Sequence, residues 1–208
     1  MAKYTGPVCR FCRKDGMKLY LKGERCNSER CSFDRRNYGP GQHGQQRSKL
    51  SDYGLQLREK QKVKRAYGLL EKQFRNLFKF AANKKGVTSE VFFQQLELRL
   101  DNVVYRMGFA SSRYEARQIV GHKHIKVNGK TLNIPSARLK VGDTVTIADK
   151  SQKMSRFELA SDHFSKRAAL PWIDVDHAKK SGKVIALPQR EDIHMNVKEH
   201  MIVELYSK

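Results

Sequence analysis

Between Ser51 and about Asn83 the apolar residues Val63, Tyr67, Leu70, Phe74, Leu77 or Phe78, and Ala81 recur at the period of an amphipathic helix. A break at Lys84-Lys85-Gly86 leads to Thr88-Ser89, which fits an N-cap, and then to Leu96, Leu100, Val103 or Val104 and Met107 at helical spacing, with an end near Gly108. Ser112-Arg113-Tyr114-Glu115 matches a capping box, Ala116, Ile119 and Val120 form a buried stripe, and Gly121 is a stop. The period then shortens to two. Ile125 and Val127 alternate with Lys126 and Asn128, an Asn128-Gly129 turn follows, and Val141, Val145 and Ile147 bracket a Gly142-Asp143 turn, predicting a small antiparallel sheet. Residues 151–170 read as helix, ended by Pro171-Trp172. Asp174 to Leu187 and His200 to Tyr206 read as short strands. Residues 1–45 show little periodicity. The pattern predicts an α+β chain divided at 1–45, 46–95, 96–150 and 151–208, with the last segment packing back on the helical region.

The longest apolar run, Val184 to Leu187, falls far short of the roughly 18 residues that suggest a membrane span, so no membrane partner is expected. The chain carries 42 Lys plus Arg against 21 Asp plus Glu, a formal charge of +21 over 208 residues, and its expected partner is a polyanion. Nucleic acid fits best, because each neutralised phosphate releases a condensed counterion. At 39% hydrophobic residues the chain can still bury a core. The opening Met1-Ala2-Lys3-Tyr4-Thr5-Gly6-Pro7 has no apolar signal core, which predicts a cytoplasmic protein. Over residues 47–85 there are twelve Lys or Arg and three acids, and Arg47, Lys49, Lys60, Lys62, Lys64 and Arg65 are the candidate phosphate contacts.

All four cysteines lie near the N-terminus as Cys9-x2-Cys12 and Cys26-x4-Cys31. Two such pairs flanking a Gly-containing loop suit a tetrahedral thiolate site for one structural Zn²⁺, which would supply folding energy to a segment too short to build its own core. Two disulfides, disfavoured by a cytosolic address, and an iron-sulfur cluster are the alternatives. His43 could replace a thiolate but reads better as an RNA or turn residue.

In the central segment Arg99 and Arg106 are seven residues apart, and Arg113 and Arg117 are i, i+4 neighbours, so each pair is expected on one helix face. Ser111 and Ser112 stand at the start of the second helix beside backbone N–H groups expected to be free for a phosphate. His122, Lys123, His124, Lys126 and Lys130 extend the positive surface into the turn and sheet.

The stretch Arg99-Leu100-Asp101-Asn102-Val103-Val104-Tyr105-Arg106-Met107-Gly108-Phe109-Ala110, with Ser112-Arg113, Ala116-Arg117-Gln118, His122-x-His124 and Val127-Asn128-Gly129, resembles the αL RNA-binding module named after small-subunit ribosomal protein four. Pro40-Gly41-Gln42-His43-Gly44, Gln73-Phe74-Arg75-Asn76-Leu77-Phe78 and Glu199-His200-x-Ile202-Val203-Glu204-Leu205-Tyr206-Ser207 extend the resemblance to the bacterial family over nearly the whole chain. It implies a zinc-stapled N-terminal module and helical domain with an inserted or following αL module of two helices and a small sheet. Gln118 and Asn128 join the RNA-contacting residues on this ground.

The implied function is a primary binder of small-subunit rRNA that nucleates 5′-domain assembly at a helix junction. It includes a place near the mRNA entrance, contacts with the third and fifth small-subunit proteins, an influence on decoding accuracy, and in some members repression of their own mRNA. Lys198 stands where the family pattern has asparagine. The same module occurs in pseudouridine synthases and some tRNA synthetases, so an RNA-modifying enzyme is the first rival and a free RNA chaperone the second. No P-loop, Gly-rich dinucleotide motif or His-Glu-x-x-His is present, and Asp174, Asp176, Glu191 and Asp192 read as surface or turn carboxylates, so no enzyme activity is expected.

Overall fold

A computed structural model describes residues 3–46, 49–164, 170–193 and 195–207. Its helices are α1 (Cys9–Asp15), α2 (Ser32–Arg35), α3 (Asp52–Ala66), α4 (Glu71–Ala82), α5 (Thr88–Glu97), α6 (Leu100–Arg106), α7 (Arg113–Gly121), α8 (Ser155–Phe164) and α9 (Glu199–Ser207). The strands are β1 (Ile125–Val127), β2 (Lys130–Thr131), β3 (Thr144–Ile147), β4 (Ile173–Asp176) and β5 (Ser181–Val184). Two compact units emerge, one of Met1–Ser89 with Met195–Lys208 and one of Glu90–His194. No described helix is long and apolar enough to cross a membrane.

In the first unit the single helix expected over 51–83 is two. Ser51 caps α3 by accepting the Gly54 N–H at 3.2 Å. The helix stops because Gly68 takes a left-handed φ of 63°, letting the Gly68 and Leu69 N–H groups close on Arg65 and Lys64 carbonyls. After this turn α4 buries Phe74, Leu77, Phe78 and Ala81, the stripe the periodicity predicts. His200 to Tyr206, expected as strand, is helix α9 packed on α3. Its β-branched Ile202 and Val203 favour a strand locally, but Ile202 and Tyr206 lie i, i+4 on one face. Ile202 is buried, and the Tyr206 ring stacks on Phe78 at 4.6 Å. Tertiary burial overrides the propensity. The Lys198 backbone N–H donates to Glu59 at 3.1 Å, a contact that any non-proline residue at that position could make.

The second unit is built on one antiparallel sheet in the order β2-β1-β3-β5-β4. The small sheet and the later strands, expected in separate segments, are therefore continuous, because β5 pairs with β3. Of the described residues in 151–208, those from Met195 onward, α9 among them, belong to the first unit. The expected helix over 88–107 is broken at Leu98-Arg99, where the chain turns extended. There Leu139 N–H donates to Leu98 O at 2.9 Å and Leu100 N–H to Ala137 O at 2.8 Å. Residues 165–169 of the expected helix over 151–170 lie outside the described residues. Asn128 and Gly129, at φ 49° and 79°, make the tight turn that the dipeptide predicts. Leu100, Val103, Val104, Met107, Ile119 and Trp172 fill the core between helices and sheet.

Between α3 and α4, Glu71 accepts from Lys60 and Lys64 at 2.7 Å each and from Tyr206 at 3.0 Å. Desolvation raises its pKa, but the two ammonium groups outweigh this and hold it at about 2. Because the folded value is depressed, its contribution is present above about pH 4.5 and is lost as pH falls toward about 2. Glu71→Gln should therefore lower the unfolding midpoint near neutrality and lose that deficit across this window, measured by urea titration at a series of pH values. The carboxylate is half exposed, so the effect is small.

Candidate RNA-binding surface

The surface around α6 and α7 rests on one carboxylate. Glu97, the last residue of α5, is 1% exposed. It accepts from Arg106 Nε at 2.9 Å and Nη2 at 2.7 Å, and from Asn102 Nδ2 at 2.6 Å. Asn102 uses its carbonyl oxygen to accept from Arg113 Nε at 2.7 Å, and the Arg113 guanidinium lies 4.7 Å from the centre of the Tyr105 ring. A hydrogen-bonded chain thus runs from Arg106 through Glu97 and Asn102 to Arg113, crossing from α5 through α6 to α7.

Arg99 is not a member of an exposed row with Arg106. It precedes α6 in extended conformation, is 3% exposed, and binds Asp101 in two bonds of 3.0 and 2.8 Å. Arg117 is also buried. Desolvation lowers its pKa, Asp101 opposes this and Arg99 adds to it. Burial and Arg99 likewise lower Arg138. Arg99 therefore acts on both Arg117 and Arg138, Asp101 opposes it at Arg117, and Arg138 is exposed. The i, i+4 spacing places Arg113 and Arg117 on neighbouring turns as predicted, but only tertiary contacts decide their different degrees of burial.

The start of α7 is not an open phosphate site. Ser112 accepts the Glu115 N–H at 3.2 Å, one half of the predicted capping box. The Glu115 carboxylate in turn takes the Ser111 N–H at 2.8 Å and its hydroxyl, so an internal anion already occupies that position. At the other end of α7, Gln118, His122 and Lys123 are exposed, as are Asn128 and Lys130 beyond it. Lys123 holds a left-handed φ of 64°, closing the helix with bonds from Lys123 N–H to Val120 O and His124 N–H to Ile119 O. Asn128 uses its side chain to fix Asp143 and the Thr144 N–H. His124 Nδ1 is 2.7 Å from the Ser151 hydroxyl, and burial, then Arg156 and His122, lower its pKa. Lys126 pairs with the exposed Asp149 at 2.7 Å.

The basic face expected on α3 is largely consumed within the fold. Lys60 and Lys64 grip Glu71, Lys62 pairs with Glu59, and Arg65 binds Asp15 at 2.6 Å. Lys49 is exposed, and Arg47 lies outside the described residues. Glu97, Asp101, Asn102 and Arg138 were not recognisable as parts of the site from sequence. Their roles depend on the Leu98-Arg99 break, which has no strong local signal.

Cys12, Cys26 and Cys31 are buried, Cys9 is half-buried, and all four are free thiols. Backbone N–H groups of Leu19 and Lys22 point at Cys12 Sγ at 3.5 Å and Cys26 Sγ at 3.4 Å. Burial pushes Cys12 up to about 11, and the neighbouring Cys26, Cys9 and Cys31 add to the rise. Among the described residues no three His, Cys, Asp or Glu side chains are grouped so that they could hold a metal ion.

Residues 3–97 match the family model for the ribosomal protein S4/S9 N-terminal domain, and residues 98–145 match the S4 domain. The chain is 59% identical to small ribosomal subunit protein uS4 of Caldicellulosiruptor saccharolyticus, 56% to that of Heliobacterium modesticaldum and 55% to that of Acetivibrio thermocellus. In each case the match covers 100% of both chains.

Breaking a buried pair leaves its partner uncompensated, which costs about 3–5 kcal/mol. Glu97→Ala should cost stability on that scale, read by urea unfolding, and should weaken RNA binding through disorder of Arg106 and Arg113. Wild-type stability would remove Glu97 as the anchor.

Proposed function

The chain belongs to the small ribosomal subunit protein uS4 family, and from that premise we propose how it grips RNA and what the grip is for. It is a structural, rRNA-binding component of the small ribosomal subunit and not an enzyme. The binding surface is centred on the end of α7 and the β1–β2 turn. Gln118, His122, Lys123 and Lys130 meet the RNA backbone, while Arg113, Arg117 and Arg138 supply a field fixed before the RNA arrives. Lys49 and, outside the described residues, Arg47 add contacts from the first unit. Arg106 and Arg99 act by holding the frame, and Lys60, Lys62, Lys64 and Arg65 act mainly within the fold.

The observation carrying this reading is Lys123. A left-handed backbone costs a non-glycine residue roughly 1–2 kcal/mol, and glycine is the usual occupant of such a helix end. Keeping a lysine there has a structural cost and gains an outward cation. Docking at a helix junction of the 5′ domain, nucleation of assembly, influence on accuracy near the mRNA entrance, contacts with the third and fifth small-subunit proteins and repression of the chain's own mRNA are parts of the same proposal. They follow from the family resemblance.

Cys9, Cys12, Cys26 and Cys31 are further proposed to hold one structural Zn²⁺. Free thiols, three of them buried, with backbone N–H groups aimed at two of the sulfurs, suit thiolate ligands. The ion would add cross-linking to a segment with few core residues. Since burial raises the Cys12 and Cys26 thiols, metal uptake must release protons and its affinity must fall as pH falls. Metal analysis of the purified chain should find one zinc, and chelation should lower the melting temperature. Undetectable zinc after reconstitution at neutral pH would eliminate the site.

Lys123→Gly should leave stability unchanged or raise it by up to about 1 kcal/mol, while it and Lys130→Ala each flatten the salt dependence of rRNA binding by about one unit. The test is salt-titrated retention on purified small-subunit rRNA against an unrelated structured RNA of equal length. Equal retention on both would reduce the chain to a generic basic protein.

A further inference from the structure

The first unit contains a cleft of about 590 Å³, within the roughly 300–1,000 Å³ typical of small-ligand sites. It lies between α1, α3 and the Gly39–Gly44 loop. No carboxylate is among its lining residues, while Arg10, Lys14 and Arg58 all contribute to its wall. This contrasts with Lys60, Lys62 and Lys64 elsewhere on α3, each committed to an acid. Among the described residues neither Arg10 nor Arg58 pairs with a carboxylate, so this concave surface carries uncompensated positive charge.

The walls are fixed in advance. Gly39 N–H donates to Gly44 O and Gly44 N–H to Gly41 O, each at 3.2 Å, and Arg13 ties the loop to α1 through the Tyr38 and Gly39 carbonyls at 3.0 and 3.2 Å. A Cβ on Gly44 would fall 1.9 Å from Gly39 O, so this close loop admits no side chain there. On the opposite wall Arg65, held by Asp15, lies over Phe11 at 4.6 Å, and Tyr4 packs on the same ring at 4.7 Å. Tyr4 remains 40% exposed and presents an aromatic surface beside the cations.

We propose that this cleft takes one unpaired nucleotide of an RNA strand, its phosphate met by Arg10, Lys14 and Arg58 and its base stacked on Tyr4. Adjacent cations and an aromatic face are the recurring requirements for single-stranded recognition. The assignment rests on the rRNA-binding reading for the source of the strand, but not on the α7 surface. A free nucleotide offers the same phosphate and ring, and the test separates the two sources.

The experiment measures fluorescence anisotropy of the full chain with a short single-stranded RNA, a blunt RNA duplex of equal charge, and GTP as competitor. The single strand should bind at least tenfold more tightly than the duplex. Arg10→Ala with Arg58→Ala should weaken it about tenfold and flatten the salt slope, whereas Tyr4→Ala should weaken it about fivefold or more at unchanged slope. Retention of each variant on purified small-subunit rRNA is measured in parallel: loss of the single-strand preference with rRNA retention intact overturns the cleft alone, so failure here and failure of the α7 surface are distinguishable. Circular dichroism melting checks each fold, and Arg10→Glu, on an exposed side chain, provides a second charge variant. Wild-type affinity in the Arg10/Arg58 variant or in Tyr4→Ala overturns the site. Displacement by GTP at concentrations equal to the strand's overturns the assignment to a strand.

Discussion

The buried Glu97 carboxylate is the constraint on which the αL surface depends. A charge removed from water must be matched by close partners, and here the matching groups come from two further positions on α6, Asn102 and Arg106. Asn102 then passes the restraint to Arg113 on α7. Helix geometry alone leaves long arginine side chains many rotamers. This hydrogen-bonded chain restricts them before any RNA is present, lowering the ordering cost of binding.

The same logic sorts the chain's large positive charge into two populations. One is internal: Lys60 and Lys64 on Glu71, Arg65 on Asp15, Arg99 on Asp101 and Arg106 on Glu97 fasten elements together. The other is outward: Lys123, Lys130 and Arg138 on the second unit, and Arg10 and Arg58 in the cleft of the first. Only the outward cations can exchange condensed counterions for contact with phosphate. The 42 Lys and Arg residues thus overstate the cations available to RNA, whereas the net +21 already subtracts the acids that pair with them. Which cations belong to which population depends on where the chain's fewer acids are buried.

Much of this was legible locally. The α7 capping box, the Asn128-Gly129 turn, the α4 stripe and the end of α6 near Gly108 are short-range features, fixed by hydrogen bonding and φ preference within a few residues. The breaks at Gly68 and Leu98-Arg99 were not. The first interrupts an otherwise continuous periodicity, and the second exists because residues 137–139 pair with the chain there. The strand expected over His200–Tyr206 failed for a related reason, since its helix is selected by docking on α3.

By itself, therefore, the sequence determined the family, the polyanionic partner and the α+β class. Each is carried by composition, motif or local period. Tertiary structure alone decided that Ser111 faces an internal carboxylate, that Arg99 is buried, that β3 and β5 share a sheet, and that Arg10 and Arg58 line one cleft with Tyr4. The physical reason is that a charged side chain's role depends on its nearest opposite charge and its access to water, and distant parts of the chain set both.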